Sequence, residues 1–157
     1  MPGKSRNRKH TQPAMSPLLR ALTYSRAAHE PVTQAMLLQC YAALDAFRRG
    51  HGSRDLFATL GRHLLVSEEL CRLGLGPDEL AHIESAHAAM VQLDAAEHRD
   101  DGWTLEDSEY ARLCVALAIL DAQLFIASLE EIAKAEARMI EGLMRAEQKQ
   151  ILAEAST

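Results

Sequence analysis

The residues best suited to chemistry in this chain are seven histidines, three cysteines and the acids near Glu79. Glu79 and His82 lie three residues apart, as do Glu84 and His87. This is the Glu-x-x-His spacing of di-iron carboxylate bundles, where each such pair comes from a different helix. Here both pairs fall on one predicted helix, with the two histidines roughly 140° apart around its axis. The spacing favours exposed polar residues, and we predict neither a metal ligand nor a cofactor.

Covalent catalysis has no clear candidate residue either. Cys40, Cys71 and Cys114 are widely spaced and form no C-x-x-C motif, which predicts reduced, buried thiols. The sequence contains no G-x-S-x-G motif, no phosphate-binding glycine loop and no dinucleotide fingerprint. We therefore predict no catalytic residue and favour a non-enzymatic role.

Charge is distributed unevenly along the chain. The chain has 17 basic residues and 22 acids, and six of the basic residues precede the first acid, Glu30. The other 11 basic residues and the 22 acids give the rest of the chain a net charge of −11. Cations on a flexible segment neutralise phosphates without reading sequence, in a DNA minor groove or on structured RNA. We predict DNA or RNA binding by the six early basic residues: Lys4, Arg6, Arg8, Lys9, Arg20 and Arg26. The alternative left open is a solubilising tail, or one that docks on the acidic bundle of its own molecule.

The N-terminal sequence also sets the domain boundaries. Residues 1–16 contain two prolines, a glycine and no apolar periodicity, which predicts a basic, flexible arm. Residues 17–157 are predicted to form a single helical-bundle domain. Because no apolar run resembles a signal peptide or could span a bilayer, the expected location is the cytoplasm, with no membrane partner.

Apolar residues recur at helical spacing through the domain, and only short linkers separate the predicted helices. The boundary signals are prolines, glycines and capping residues: Ser16-Pro17, Pro31, Gly50, Ser53, Gly74 and Gly76-Pro77. The first helix is expected to end near His29, because Glu30 precedes a proline. The predicted fold is all-α: an antiparallel four-helix bundle with an extra N-terminal helix and arm and a long C-terminal helix.

The stretch from Thr104 to Ala155 contains one glycine and no proline, and Thr104 with Asp107 forms a variant capping box. One helix of about 50 residues would be roughly 75 Å long, longer than a small bundle. Its second half, residues 130–155, is therefore predicted to project and to self-associate as a dimer. The predicted contact residues are Leu129, Ile132, Met139, Leu143 and Ile151. The alternative is a helix that turns at Gly142 and packs on its own bundle.

Two polar residues interrupt the apolar run CVALAILDAQLFIASL of this stretch. Asp121 and Gln123 are predicted to be buried polar residues that fix helix register through a hydrogen-bonded partner. The sharper alternative for Asp121 is a ligand or acid in a bundle-core site.

Three short motifs carry a resemblance that spans most of the chain: the basic arm KSRNRKH followed by a proline, the LGLG turn at Leu73 to Gly76, and DAQL at Asp121 to Leu124. The chain resembles small all-helical proteins of phages, prophages and proteobacteria, some of which are labelled Fis-family transcriptional regulators. The resemblance implies a helical accessory or regulatory protein. The C-terminal segment lacks the basic recognition helix that the regulator label would require, so no functional residue is carried over.

Together these observations predict a non-enzymatic accessory protein that self-associates and binds nucleic acid through its arm. Two alternatives stay open at this point. One is an inhibitor that binds a host protein through its acidic helical surface, and the other is a metal-dependent helical-bundle enzyme.

Overall fold

The computed structural model describes residues 26–97 and 102–155. They form five α-helices and one short 3-10 helix: α1 Arg26–Arg48, α2 Arg54–Arg72, the 3-10 helix Pro77–Glu79, α3 Leu80–Glu97, α4 Asp107–Ile126 and α5 Leu129–Glu154. These ranges contain no strand, so the predicted all-α class is confirmed. The arm 1–16 and the predicted helix through Leu18 lie outside the described residues.

Helices α1 to α4 form an antiparallel bundle in which each helix packs on the next, and α4 closes the ring against α1. Arg54 at the start of α2 pairs with Asp94 near the end of α3, at 2.8 Å. Likewise Arg48, the last residue of α1, lies 4.1 Å from the centre of the Tyr110 ring near the start of α4. Contacts between the end of one helix and the start of its neighbour require opposite directions. The core is mostly leucine, and its large, fully buried side chains include Phe47, Leu60, Leu64, Leu70, Ile83, Leu93, Leu113, Leu117, Leu120 and Leu124.

The capping signals at α2 lie where the sequence predicts them. The Ser53 hydroxyl accepts a hydrogen bond from the Leu56 N–H at 3.3 Å. At the other end Gly74 has φ 97°, and the Leu75 N–H bonds back to the Leu70 carbonyl. This is a Schellman motif, whose left-handed position favours glycine. The turn that follows places Leu75 against the core.

Pro31 does not end a helix, contrary to the prediction. α1 runs through it without a break, and Thr33 Oγ1 donates to the Glu30 carbonyl at 3.0 Å. A proline within a helix removes one hydrogen bond, to the carbonyl four residues earlier. We attribute the continuity to tertiary packing, because Met36, Cys40 and other residues of α1 bury their side chains in the core.

The stretch from Thr104 onward is two helices rather than one. α4 begins at Asp107, with Glu109 accepting from the Glu106 N–H at 3.0 Å, so the predicted start at Thr104 is wrong. Ala127 and Ser128 are both extended, with ψ 141° and 159°. Ser128 Oγ accepts from the Glu131 N–H at 3.2 Å, and Glu131 Oε2 accepts from the Ser128 N–H at 2.8 Å. This reciprocal capping box starts a new helix, so the chain turns at Ser128 and not at Gly142, and α5 packs on α2.

Trp103 closes the bundle end that holds the α1–α2 turn. Its ring centre is 6.0 Å from that of Phe47 and 5.4 Å from that of Phe57. Gly52 lies between Phe47 and Trp103 and leaves no room for a side chain. A Cβ atom placed there would lie 2.5 Å from Phe47 Cε1 and closer still to Trp103 Cβ. The loop before α4 is thus anchored by tight aromatic packing.

Candidate interaction surfaces

Most of the predicted nucleic-acid contacts fall outside the described part of the chain. Arg26 begins α1, and nothing further is described of its side chain. The other five are Lys4, Arg6, Arg8, Lys9 and Arg20. Their prediction therefore continues to depend on the charge distribution of the sequence.

The five residues predicted for self-association do not share one environment. Ile132 and Met139 are buried, with 3% and 6% exposure, on the face of α5 that packs on the bundle. Leu129 is half-buried. Leu143 and Ile151 are 50% and 59% exposed. The predicted contact residues therefore include two that pack within the molecule and others that remain accessible.

The second half of α5 has an exposed apolar face of its own. Every residue from Ile140 to Ala155 is exposed, and we call this segment the α5 tail. Ile140, Leu143, Met144 and Ile151 lie within an arc of about 100° around the helix axis, and we call them the α5 stripe. The stripe is centred about 100° from the packed residues Ile132, Ala135 and Met139. The stripe adjoins the packed face, because Leu143 lies only about 20° around the axis from Ile132, but its four side chains remain exposed.

One side of the α5 tail is basic. Arg145 pairs with Glu141 at 3.3 Å on the exposed surface. Lys149 and Arg138 line the same cleft beside Glu69, at the C-terminal end of α2. Glu147 lies instead within the arc of the α5 stripe, between Leu143 and Ile151.

A second apolar surface lies on the outward face of α4. Val115 and Ile126 are 45% and 63% exposed, and Ala118 and Ala122 are exposed between them. With Ile119 and with Leu75 of the α2–α3 turn they line a shallow groove that we call the α4 groove. Gly76 and Glu79 also border it. Neighbouring exposed apolar residues are typical of a contact surface.

Sequence reasoning missed the α4 groove although its signal was available. The sequence predicts that the run from Cys114 to Leu129 is core, interrupted by two polar residues. Its apolar residues extend around most of the helix circumference. The residues of α4 that are buried in the bundle lie on only one side of the helix. The excess was the indication of a second surface.

The two predicted buried polar residues of α4 have different environments. Gln123 is 3% exposed; its Oε1 accepts from Ser67 Oγ at 2.6 Å, and its Nε2 donates to the Leu75 carbonyl at 2.9 Å. It ties α4 to the end of α2 and to the following turn. The prediction for Asp121 is wrong, because its side chain is exposed. It lies about 100° from the centre of the core stripe of α4, at a cleft that it lines with Glu30 and Phe125.

The histidines and cysteines do not assemble into a reactive site within the described ranges. His82 Nε2 lies 4.0 Å from Glu79 Oε2 at the surface. The buried His87 Nε2 is 3.1 Å from Glu68 Oε2 but outside hydrogen-bonding geometry. No three His, Cys, Asp or Glu residues among those described are grouped so as to hold a metal ion.

The cysteines are free thiols. Burial raises the pKa of the Cys40 thiol from 9.0 to about 12. Burial also raises the pKa of Cys71, while a hydrogen bond from Gln123 lowers it in part. A raised pKa makes the nucleophilic thiolate scarce at neutral pH. Both residues therefore have the properties of core side chains.

Comparisons of the chain with protein-family models, with curated proteins and with solved structures find no match. The resemblance to helical phage and proteobacterial proteins is neither confirmed nor contradicted, and stays a prediction. None of the helices in the described ranges is both long and apolar enough to cross a membrane.

Proposed function

We propose that this protein is a non-enzymatic, self-associating accessory protein that binds nucleic acid through its basic N-terminal residues. The observation that carries the proposal is the exposed α5 stripe. Four large apolar side chains on one projecting helix end are more than scattered surface residues, and contiguous exposed apolar patches mark interaction sites. Met144 is 65% exposed and Ile140 52%.

Self-association is the reading that uses this surface most directly, because it is present on every copy. Fully burying an aliphatic or methionine side chain is worth about 1.5–3 kcal/mol. The four partly exposed side chains of the α5 stripe could together supply several kcal/mol per copy by the same estimate.

Sedimentation velocity over a range of concentrations tests self-association. We expect concentration-dependent dimers for the natural chain. Met144→Glu should raise the dissociation constant by about 10- to 100-fold, since each 1.4 kcal/mol is a factor of ten. Met144→Leu keeps an apolar side chain and serves as the matched control. A natural chain that stays monomeric at all concentrations would remove this part of the proposal.

Nucleic-acid binding is supported by the charge of the sequence: six basic residues precede the first acid, and the rest of the chain has a net charge of −11. An acidic body makes binding through the bundle itself unfavourable and confines attraction for phosphates to the leading segment. Each chain of a dimer would contribute one such segment, which raises the effective concentration of the second at the nucleic acid.

Fluorescence anisotropy with a labelled duplex and a labelled structured RNA at several salt concentrations tests the arm. Replacing Arg6 and Arg8 by Gln removes two cations, and should reduce the salt slope on a duplex by about 1.8. The same replacement at Arg49 and Arg62, two exposed arginines of the bundle, is the control and should leave binding nearly unchanged. Equal effects of the two double variants would contradict binding through the arm.

A further inference from the structure

We propose that a basic cleft between the end of α2 and the second half of α5 binds the phosphate backbone of a nucleic acid. The inference rests on the proposed nucleic-acid binding and adds a second contact, which lies within the described part of the chain. We call this surface the α5 cleft. Eight residues line it: Glu69, Arg72, Arg138, Glu141, Gly142, Arg145, Ala146 and Lys149.

The α5 cleft is positively charged although the bundle is acidic. Four of its eight lining residues are cations and two are acids, so their net charge is +2. The chain after its first six basic residues has a net charge of −11. The bundle as a whole therefore repels phosphates, but this cleft departs from that average.

Three of the cations form a line along α5. Arg138, Arg145 and Lys149 lie within an arc of about 40° around the helix axis and span roughly 16 Å along it. All three residues are exposed. One strand of a DNA duplex carries a phosphate at roughly every 3.4 Å of the axis, so the line is as long as a run of about five phosphates.

Each of the two acids in the cleft is paired with an arginine. Glu69 accepts a hydrogen bond from Arg72 of its own helix and is mostly buried, with 13% side-chain exposure. Glu141 pairs with Arg145 at 3.3 Å, and both of these side chains are exposed. Exposed ion pairs contribute little to stability. A phosphate can therefore replace Glu141 as the partner of Arg145.

The line of cations lies on the side of α5 opposite to the α5 stripe. Their centres are about 160° apart around the helix axis. Glu147 and Glu154 lie on the stripe side, roughly 160–180° from the centre of the line. Self-association through the stripe therefore leaves the α5 cleft of each copy accessible, and these two acids point away from a bound phosphate.

The lining of the α5 cleft favours a phosphate backbone over a protein partner. A protein interface has an apolar centre, whereas the two uncharged residues of this cleft are Gly142 and Ala146, which have little or no side chain. They allow phosphates to approach α5 between Arg138 and Lys149. Guanidinium groups bind phosphate oxygens through paired hydrogen bonds, which adds geometric specificity to charge attraction.

Fluorescence anisotropy of the full chain with a labelled duplex and a labelled RNA at several salt concentrations tests this inference. Replacing Arg138 and Lys149 by Gln removes two cations from the line. On the duplex we expect the salt slope to fall by about 1.8, and the dissociation constant at about 0.1 M salt to rise about 10- to 100-fold. Replacing Arg49 and Arg62 by Gln makes the same charge change at exposed positions of the bundle. This control should bind nearly as tightly as the natural chain.

Glu141→Gln provides a test of the opposite sign. It removes the acid beside the line and releases Arg145, so binding should become several-fold tighter. Glu154→Gln changes the net charge equally on the far side of α5 and is the matched control, with little effect expected. Circular dichroism melting and sedimentation velocity check that these exposed replacements leave the fold and the association state unchanged. A gain of equal size in both variants would mean that net charge alone decides, and would overturn the inference.

Three further outcomes would also overturn it, and they can be told apart. If the variant at Arg138 and Lys149 binds normally while the variant at Arg6 and Arg8 does not, the N-terminal segment binds alone and only the α5 cleft is rejected. If the cleft variant loses affinity for labelled poly-glutamate as much as for the duplex, the cleft takes acidic protein segments and the phosphate assignment is wrong. If the natural chain binds neither nucleic acid, the proposed function fails, and this inference fails with it.

Discussion

Replacing Gly52 by alanine gives a direct test of the fold near the α1–α2 turn. The added Cβ atom would lie 2.5 Å from Phe47 Cε1, with Trp103 Cβ closer on the other side. Carbon atoms in favourable contact are about 3.5–4.0 Å apart, so the methyl group overlaps both neighbours by an ångström or more. Neither neighbour can yield by rotation alone, because Phe47 is fully buried and Trp103 Cβ is fixed to the backbone.

The expected cost follows from that double overlap. Overpacking a core typically destabilises a protein by about 1–3 kcal/mol, and two rigid neighbours place Gly52→Ala toward the upper end. For a chain of this length, each kcal/mol lowers the melting temperature by roughly 2–4 °C. A decrease of about 6–12 °C is therefore expected.

Urea unfolding followed by circular dichroism and by tryptophan fluorescence measures this effect. Trp103 is the only tryptophan in the sequence, so its emission reports on the packed cluster itself. Gly61→Ala is the matched control. Gly61 lies within α2, and a Cβ atom there would be 3.8 Å from Met90 Cε, an ordinary van der Waals contact. Alanine there should stabilise the helix by about 0.5–1 kcal/mol. A Gly52→Ala chain as stable as the natural one would refute the placement of Trp103 over this turn.

Three further results are expected. Gln123→Leu should lower the free energy of unfolding by about 1–3 kcal/mol in urea titration, because the buried Ser67 hydroxyl and Leu75 carbonyl lose their partner; a neutral effect would contradict the network. Ser128→Ala should cost about 0.5–2 kcal/mol in the same measurement, and faster hydrogen exchange in α5 than in α4 would show that the loss is local. Burial raises the pKa of Cys40 to about 12, so the unfolded chain ionises this thiol first. Its contribution to stability should be complete below pH 9 and decrease from pH 9 to pH 12. Unfolding of Cys40→Ala should depend less on pH over that range, and an unchanged pH dependence would count against the burial of this thiol.

Helix positions and most boundaries could be predicted because their causes are local. Ser53 begins α2 and Gly74 ends it through hydrogen bonds within a few residues of the chain. Pro31 shows where local reasoning fails. A proline is a probable helix boundary on average, but here the helix continues and its apolar residues pack in the bundle.

The break at Ser128 was harder to predict for a different reason. Ser128 followed by Glu131 is a capping-box pattern, but it lies within residues that all favour a helix. Gly142 was the more obvious candidate because of its low helix propensity. In the structure no other atom lies within 4 Å of the position that a Cβ atom of residue 142 would take, and α5 continues through this glycine. A reciprocal cap provides two hydrogen bonds that favour a new start, whereas one exposed glycine weakens the helix by only about 1 kcal/mol.

The same break accounts for both exposed apolar surfaces, the α4 groove and the α5 stripe. By ending α4 at Ile126, it places α5 on α2 and leaves the outward face of α4 uncovered by α5 in the described part of the chain. It also uses Ile132 and Met139 for intramolecular packing, which leaves the residues after them exposed. If α4 continued straight through Ser128, Ile132 and Met139 would also be exposed to solvent. Both exposed surfaces therefore depend on the one turn at Ser128, which directs α5 onto α2.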